Sequence, residues 1–258
     1  LCEEDIQKFL DRRKPGQSRY TTARKEGDLV EILSGVFEGK TTGTPISLMV
    51  RNTDQRSRDY GNIAYSYRPG HADYTFDQKY GFRDYRGGGR SSGRETIGRV
   101  AAGAIASKIL GELGISICTY TKSIGPVEIA SFNKEEIHQN AFYMPDAQAA
   151  VKAGEYLEEC MKNQDSAGGV IECRITGTPA GLGEPVFDKL SALLAHALMS
   201  IGAVKAVEIG DGIAVTSSNG STDNDGFTVK DGKIIKTSNH AGGIMGGISD
   251  GSEIILRA

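Results

Sequence analysis

The chain has 258 residues, 38% of them hydrophobic, with 30 Lys and Arg against 33 Asp and Glu and a formal net charge of -3. This length and apolar content are enough to bury a core, which excludes a disordered chain. Glycine occurs 34 times, well above the usual share of about 7%, yet without the Gly-X-Y period of collagen. The glycine excess therefore needs a local explanation.

Apolar runs, the first residues and the cysteines bear on where the protein works. No run reaches the 18 or so apolar residues that a membrane span needs, and the most apolar helix candidate, 190–201, is too short and carries His196. The first residues do not resemble a secretion signal. The four cysteines have no CxxC spacing, which favours free thiols. We therefore expect a cytoplasmic protein with no membrane partner.

Positive charge is concentrated in the first part of the chain. Residues 1–99 carry a net charge of +4 and residues 100–258 a net charge of -7, and 13 of the 15 arginines precede residue 100. Arginine is favoured over lysine where a planar group must bind phosphate or carboxylate through two bonds. The hypothesis is an anionic ligand, and the alternative is a solvated basic face.

Apolar spacing and turn residues predict helices and strands in alternation. A helix is expected over Glu3 to Arg13, ended by Pro15-Gly16, and a hairpin from Leu29–Phe37 and Ile46–Val50. Asn52 to Arg90 is polar and rich in Tyr, Asp, Arg and Gly, which is typical of a functional loop or of disorder. The later expected elements are a helix from Thr96 to near Gly114, a strand Ile115–Tyr120, a helix Asp146–Met161, a strand Gly169–Thr176, a helix Val186–Ile201, a strand Val204–Ile209, a Gly/Ser/Asn/Asp-rich loop and a strand Glu253–Leu256.

No break in composition marks a linker between domains. Segments 97–125 and 187–210 share one plan, an Ala/Leu-rich helix, a glycine, a β-branched strand and Ile-Gly, which is a weak internal repeat. The simplest architecture is a single α/β (α+β) domain over residues 1–258, with helices packed on antiparallel or mixed sheets.

Two glycine-containing segments bear on phosphate binding. Gly35 to Thr41 has three residues between its glycines where a P-loop has four, and a strand follows it, so we interpret it as a hairpin turn. In the segment 86–96, Ser92 and Glu95 have the spacing of a capping box, which predicts a helix starting at Ser92. A helix N-terminus preceded by glycines and flanked by Arg86, Arg90 and Arg94 is typical of an anion or cofactor site. The alternatives are a plain capped turn, or an RNA-binding RGG element, which the single copy and the net charge of -3 disfavour.

The four histidines differ in their surroundings. His71 lies between arginines in a polar stretch, which suits proton transfer, although a lone histidine is more often structural. His138 and His196 are interpreted as structural, and His240 is ambiguous because a glycine-rich run follows it. No group of His, Cys and carboxylates has metal-ligand spacing, so no metal is expected.

Several segments, in this order, resemble the chorismate synthase family. The resemblance covers essentially the whole chain. It rests on Asp11-Arg-Arg-Lys-Pro-Gly-Gln-Ser-Arg-Tyr-Thr-Thr22, Arg68-Pro-Gly-His-Ala-Asp73, Tyr85-Arg-Gly-Gly-Gly-Arg-Ser-Ser-Gly-Arg-Glu-Thr96, Gly181-Leu-Gly-Glu-Pro-Val-Phe-Asp188, Val207-Glu-Ile-Gly-Asp-Gly212 and Ser238-Asn-His-Ala-Gly-Gly243.

The resemblance implies a β-α-β sandwich and a homotetramer. It implies a lyase that converts 5-enolpyruvylshikimate 3-phosphate to chorismate and phosphate by anti 1,4-elimination, the last step of the shikimate pathway, with reduced FMN required but not consumed. Whether NADPH reduces the flavin on the enzyme stays open. A substrate with one phosphate and two carboxylates agrees with the arginine-rich first part, and nucleic acid is not expected as a partner.

The resemblance also implies roles for individual residues. His71 corresponds to a catalytic acid that protonates the reduced flavin. The positions implied for the substrate or NADPH are Arg13, Arg19, Arg68 and Arg94, and those implied for FMN are Arg90, Ser91, Ser92, Gly202, Ala203 and Gly246.

Two departures from the family pattern affect the expected activity. The chain lacks the family's Phe-Gly-Glu-Ser-His-Gly block, which bears a second histidine, and its Lys-Pro-Thr-Ser-Ser-like and Arg-His-Asp-Pro blocks. We therefore expect N- and C-terminal parts of the family domain to be missing, and these 258 residues to be inactive by themselves.

Overall fold

A computed structural model describes residues 1–21, 26–53, 61, 63–86 and 89–258. The chain forms two compact units, unit 1 (Leu1–Lys108) and unit 2 (Ile109–Ala258); the single domain over 1–258 stays a prediction. The helices are α1 (Glu3–Arg13), α2 (Asp73–Tyr80), α3 (Thr96–Glu112), α4 (Ala147–Lys162), α5 (Leu190–Met199) and α6 (Gly220–Asp223). The strands are β1 (Val30–Ser34), β2 (Val36–Phe37), β3 (Lys40–Thr41), β4 (Ser47–Val50), β5 (Ser116–Ile124), β6 (Val127–Glu128), β7 (Gly169–Thr176), β8 (Glu208–Ile209), β9 (Phe227–Lys230), β10 (Lys233–Lys236), β11 (Ile244–Met245), β12 (Ile248–Ser249) and β13 (Ile254–Arg257).

Unit 1 contains the predicted hairpin, in which β1 and β4 pair antiparallel. The predicted strand Leu29–Phe37 is divided at Gly35, which has a φ of +83° and leaves no space for a Cβ beside Ile46. A left-handed backbone conformation interrupts the pleat, and β2 and β3 then form a small ladder of their own around the turn that resembled a P-loop.

The core of unit 1 joins α1, β1 and α3. Ile6 and Leu10, one helical turn apart on α1, are fully buried and pack with Val30, Ala101 and Ala104. Burying a side chain of that size contributes about 2–3 kcal/mol. The predicted first helix has the observed bounds, and its apolar stripe determines how α1 packs.

Unit 2 is built on a five-stranded antiparallel sheet in the order β6-β5-β7-β13-β8. One apolar cluster lies under α4, around Met144 and Ala153, and another joins Ile254 and Leu256 of β13 to α5. Helices with antiparallel sheets confirm the predicted mixture of helix and strand.

Three expected elements of unit 2 have different bounds. The helix predicted from Val186 starts only at Leu190, because Glu184 and Asp188 form a β-bridge and the Leu190 amide bonds to the Gly247 carbonyl. The strand predicted over Val204–Ile209 is reduced to β8, since Val204 N–H bonds back to Ile201 in a turn. The strand predicted from Ile115 continues to Ile124, where β6 pairs with it.

The elements that were not predicted include a helix and a hairpin. Helix α2 lies inside the polar stretch 52–90, where little apolar periodicity marks a helix. The β9–β10 hairpin lies in the segment predicted as a loop, although Asp231-Gly232 is a strong hairpin signal. Both turn residues have positive φ, 51° and 74°.

Two further predictions concern membrane-spanning helices and disulfide bonds. Among the described residues, no helix combines the length and apolar character needed to cross a membrane. All four cysteines are free thiols.

Candidate active site

The predicted acid His71 lies in a loop that leads into α2. Asp73, the first residue of α2, has a side chain only 3% exposed. Its carboxylate accepts hydrogen bonds from the Arg68 backbone N–H at 3.0 Å, from Arg68 Nε at 2.9 Å and from Arg68 NH2 at 2.8 Å. The Arg68 guanidinium holds the pKa of Asp73 well below its usual range, so the carboxylate is ionised at neutral pH.

The His71 ring contacts both members of this ion pair. Its Nδ1 lies 2.9 Å from Asp73 Oδ1 and 3.1 Å from Arg68 NH2. The His71 side chain is 26% exposed. The structure therefore brings His71 and Arg68, two of the predicted site residues, into one cluster with Asp73, a residue that sequence reasoning quoted in a motif but gave no role.

Arg83 ties this cluster to the preceding loop. It donates to the carbonyl oxygens of Ile63 and Ser66, both at 2.8 Å, and stacks over Tyr67 at 4.9 Å. It also pairs with Asp77 of α2 and lies 3.9 Å from Asp73. A guanidinium that is 9% exposed and bound to so many groups fixes the loop that carries His71.

A small pocket joins the His71 loop to the glycine-rich segment. Asp73, Arg83, Gly89 and Ser91 all line it, together with Ala72, Phe76 and Asp84. Gly89 and Ser91 belong to a short 3-10 turn that precedes α3. The predicted flavin segment and the predicted acid loop thus meet at one cavity within unit 1.

The start of α3 departs from the prediction. A 3-10 turn, Gly93–Glu95, precedes the α-helix, and the Ser92 side chain caps it by accepting from Arg94 N–H at 3.2 Å. The reciprocal bond of a capping box is replaced, because the Glu95 carboxylate binds Arg90 at 2.7 Å. The helix therefore starts at Thr96, and Gly87 and Gly88 lie outside the described residues.

Two predicted anion-binding arginines contact buried acids. Arg13 NH1 lies 3.0 Å from Asp28 Oδ2, and Arg94 NH1 lies 3.0 Å from Asp28 Oδ1 and also pairs with Glu26. Asp28 and Glu26 have side chains 0% and 3% exposed. Arg13 further binds Thr96 Oγ1 and the Gly93 carbonyl. Sequence reasoning missed these acids because nothing in their local pattern marks them as partners.

The other predicted arginines are closer to solvent. Arg90, whose side chain is 85% exposed, pairs with Glu95. Arg19 bonds to the Tyr20 hydroxyl at 2.7 Å and lies over its ring. Arg86 pairs with Asp84.

Unit 2 holds the remaining predicted flavin positions. Gly246 lies in the turn between β11 and β12 with a φ of +61°, and a Cβ built on it would meet nothing within 4 Å. A Cβ on Gly202 would likewise meet open space, and Ala203 has a positive φ of 71°. The backbone at these positions is therefore accessible to a ligand.

A second histidine–carboxylate pair lies in unit 2. His240 Nδ1 is 2.7 Å from Asp211 Oδ2, and this hydrogen bond raises the pKa of His240. One carboxylate oxygen each of Asp211 and Asp223 and one ring nitrogen of His240 lie within 4.8 Å of one another, as metal ligands can. The spacing of these residues in the sequence did not indicate this cluster. The absence of a metal from the active site stays a prediction.

Known proteins resemble this chain in sequence and in fold. The family model described as chorismate synthase matches residues 1–258. A chorismate synthase of Agathobacter rectalis is 65% identical over 260 residues, covering all of this chain and 71% of the relative, and one of Lachnoclostridium phytofermentans is 66% identical over 261 residues with the same coverage. A solved structure described as "Crystal Structure of Chorismate Synthase" has a TM-score of 0.83 at 33% identity, covering all of this chain and 74% of that one. The chain therefore belongs to the chorismate synthase family, the lyases that form chorismate in the shikimate pathway.

Proposed function

We propose that this chain converts 5-enolpyruvylshikimate 3-phosphate to chorismate and phosphate by anti 1,4-elimination, with reduced FMN as cofactor. The proposal rests on family membership and on one structural observation about the candidate site. The pocket lined by Asp73, Gly89 and Ser91 adjoins the loop of the predicted acid and the predicted flavin segment.

The residues present fit a flavin. In unit 1, Gly89 and Ser91 line the pocket, and Arg90 offers a largely exposed guanidinium for a phosphate. In unit 2, taken by itself, Gly246 has open space beside its backbone. We assign FMN contacts to Arg90, Ser91, Ser92, Gly202, Ala203 and Gly246. When bound, reduced FMN supplies electron density to the C–O bond that breaks.

We assign the anionic substrate, or NADPH as reductant, to Arg13, Arg19, Arg68 and Arg94. A guanidinium carries five N–H donors, so pairing with an internal carboxylate does not use up its bonding capacity. The carboxylate pairs of Arg13, Arg68 and Arg94 also fix the directions of these side chains, which reduces the entropy lost when an anion binds. His71 holds the proton for the reduced flavin, and a partly exposed ring in a charged loop suits that transfer.

A spectral titration tests the proposal. Under anaerobic conditions, we expect the chain to perturb the absorbance of reduced FMN, and the enolpyruvyl substrate to strengthen the change. Ser91→Ala and Arg90→Ala are expected to weaken FMN binding, whereas His196→Asn, an exposed histidine of α5, serves as control. No flavin perturbation, together with a salt-dependent gel shift of generic RNA, would contradict the proposal and favour an anion-binding module.

The proposal also covers the oligomeric state, the cellular location and the reductant of the flavin. We propose a cytoplasmic homotetramer, which light scattering coupled to size exclusion measures directly. NADPH oxidation in the presence of FMN decides whether the flavin is reduced on the protein.

A further inference from the structure

We propose that Asp211, Asp223 and His240 of unit 2 form a binding site for a divalent transition-metal ion of the Mn²⁺ or Zn²⁺ type. None of the three residues is among those assigned above to the substrate, NADPH or FMN, so the inference goes beyond the proposed function. The ion joins three segments of unit 2, which are the loop that follows β8, the last residue of α6 and the loop between β10 and β11.

The first step concerns how two of these segments are held together. The Asp211 N–H donates to the His240 carbonyl oxygen at 2.8 Å, and the His240 N–H donates to Asp225 Oδ1 at 2.8 Å. The two loops lie in close contact, because a Cβ on Gly210 would lie 2.1 Å from the His240 carbonyl oxygen and one on Gly242 would lie 2.3 Å from the Gly210 nitrogen. Asp211 and His240 are therefore placed side by side before an ion binds, which reduces the entropy lost on binding.

The second step concerns the distances between the ligand atoms. His240 Nδ1 lies 2.7 Å from Asp211 Oδ2. One oxygen of Asp223 lies within 4.8 Å of the ligand atom of each of the other two residues. Neighbouring ligands of an ion with bonds of about 2.1 Å lie about 3 Å apart, so a small rotation of the Asp223 side chain brings all three to one ion. The ion takes the place of the proton that Asp211 and His240 share, and that proton passes to the solvent.

The third step concerns negative charge that the protein leaves without a partner. Asp223 Oδ1 is buried and accepts no hydrogen bond from the residues that the structure describes. Within the same part of the chain, no lysine or arginine pairs with Asp211 or Asp223, and Lys236 of β10 pairs with Asp225 and Asp250 instead. A buried carboxylate oxygen without a donor is costly, and a bound cation removes that cost. This oxygen distinguishes the cluster from a solvated acidic surface.

The ligand types indicate the class of ion. One imidazole nitrogen with two carboxylate oxygens suits Mn²⁺ and Zn²⁺, whereas Ca²⁺ and Mg²⁺ prefer oxygen ligands alone. The side chains of His240 and Asp211 are 34% and 38% exposed. An ion can therefore enter from the solvent, and water can occupy the coordination positions that three protein ligands leave open.

Paramagnetic broadening by Mn²⁺ tests the site in the chelator-treated chain without flavin. Mn²⁺ broadens the NMR signals of nearby nuclei, the four histidines of the sequence serve as reporters, and a His240→Asn spectrum identifies the His240 signals. We expect substoichiometric Mn²⁺ to broaden the ring signals of His240 before those of the other histidines. Prior addition of excess Zn²⁺ is expected to prevent this broadening, whereas Ca²⁺ at the same concentration is not.

Asp223→Asn is the most informative variant, because it removes one ligand charge and keeps the shape of the side chain. We expect the affinity for Mn²⁺, measured from the electron paramagnetic resonance signal of the free ion, to fall about tenfold or more. Asp231→Asn is the matched control, since it removes the same charge from an exposed position in the β9–β10 turn and should leave the affinity nearly unchanged.

Three results would overturn the proposal. These are equal broadening of all histidine signals, equal losses of affinity in Asp223→Asn and Asp231→Asn, and protection by Ca²⁺ as effective as that by Zn²⁺. The wild-type spectra decide the matter even if Asp223→Asn fails to fold. Because no flavin is present, a failure of FMN binding in the separate titration would count against the proposed function alone.

Discussion

Arg94 and Asp28 form an ion pair in which the guanidinium lies 3.0 Å from a carboxylate with no exposed surface. The other oxygen of Asp28 binds Arg13 at the same distance. Two arginines that the sequence assigns to an anionic ligand are thus held by an acid of the chain itself. Through Asp28, Arg94 in the turn before α3 is linked to Arg13 at the end of α1.

Removal of the Arg94 guanidinium is expected to lower stability strongly. Arg94→Ala would leave the buried carboxylate of Glu26 without its arginine partner and Asp28 with Arg13 alone, at a cost of about 3–5 kcal/mol. Arg90→Ala removes a mostly exposed pair with Glu95, which water screens, and should therefore lower stability much less than Arg94→Ala. Urea unfolding followed by circular dichroism measures both, and equal losses would contradict the role given to the buried pair.

Gly246→Ala is expected to weaken FMN binding without a large loss of stability. Gly246→Ala places a methyl group where nothing lies within 4 Å, so only its φ of +61° is strained, at about 1–2 kcal/mol. FMN affinity is expected to fall about tenfold or more because the backbone becomes less accessible.

Gly210→Ala is the matched comparison. Its φ is +60°, but the new Cβ would lie 2.1 Å from the His240 carbonyl oxygen. We expect a loss of about 3 kcal/mol or more from the clash and the strain together. Thermal unfolding separates the two variants, and a Gly246→Ala chain that binds FMN like wild type would remove Gly246 from the flavin site.

Asp146 predicts a dependence of stability on acid pH. It caps α4 through the N–H groups of Gln148 and Ala149 and also accepts from those of Ala130 and Ser131. The bonds from Ala149 and Ala130 lower its pKa from 3.8 to about 2. Since the folded pKa lies below the unfolded one, the contribution is present above pH 3.8 and is lost as the pH falls toward 2.

Asp146→Ala should therefore lower the free energy of unfolding by about 1–2 kcal/mol at neutral pH. Between pH 3.8 and about 2, the variant should lose less stability than the wild-type chain. Urea midpoints measured at several pH values check both effects. A variant with wild-type midpoints at neutral pH would show that the cap contributes nothing.

Lys236 supports the turn that contains His240. Its ammonium lies 3.0 Å from Asp225 and 2.8 Å from Asp250, and all three side chains are less than a tenth exposed. Lys236→Met keeps most of the volume but leaves two buried carboxylates unpaired, so we expect a loss of about 3–5 kcal/mol. Lys233→Met, at an exposed position of the same strand, should change stability by less than about 1 kcal/mol. A small effect of Lys236→Met would contradict the buried-charge interpretation.

Local patterns predicted the regular elements well where one face is buried. The α1 stripe and the α4 cap at Asp146 are encoded within a few residues, and both helices have the expected extent. Local patterns predicted the wrong helix start where tertiary contacts compete with them. A β-bridge moves the start of α5 beyond Val186, and Glu95 binds Arg90 instead of closing the capping box.

The sequence by itself determined the family, the order of helices and strands, and the concentration of arginine and glycine around a prospective anion site. These properties depend on residue identity and short spacing, which a chain carries before it folds. Only the tertiary structure decided which acid each arginine meets. Asp28 binds Arg13 and Arg94, while Asp73 binds Arg68 and faces His71. Periodicity defines the face on which a side chain lies, but an ion pair between distant segments depends on how the packed elements bring those segments together.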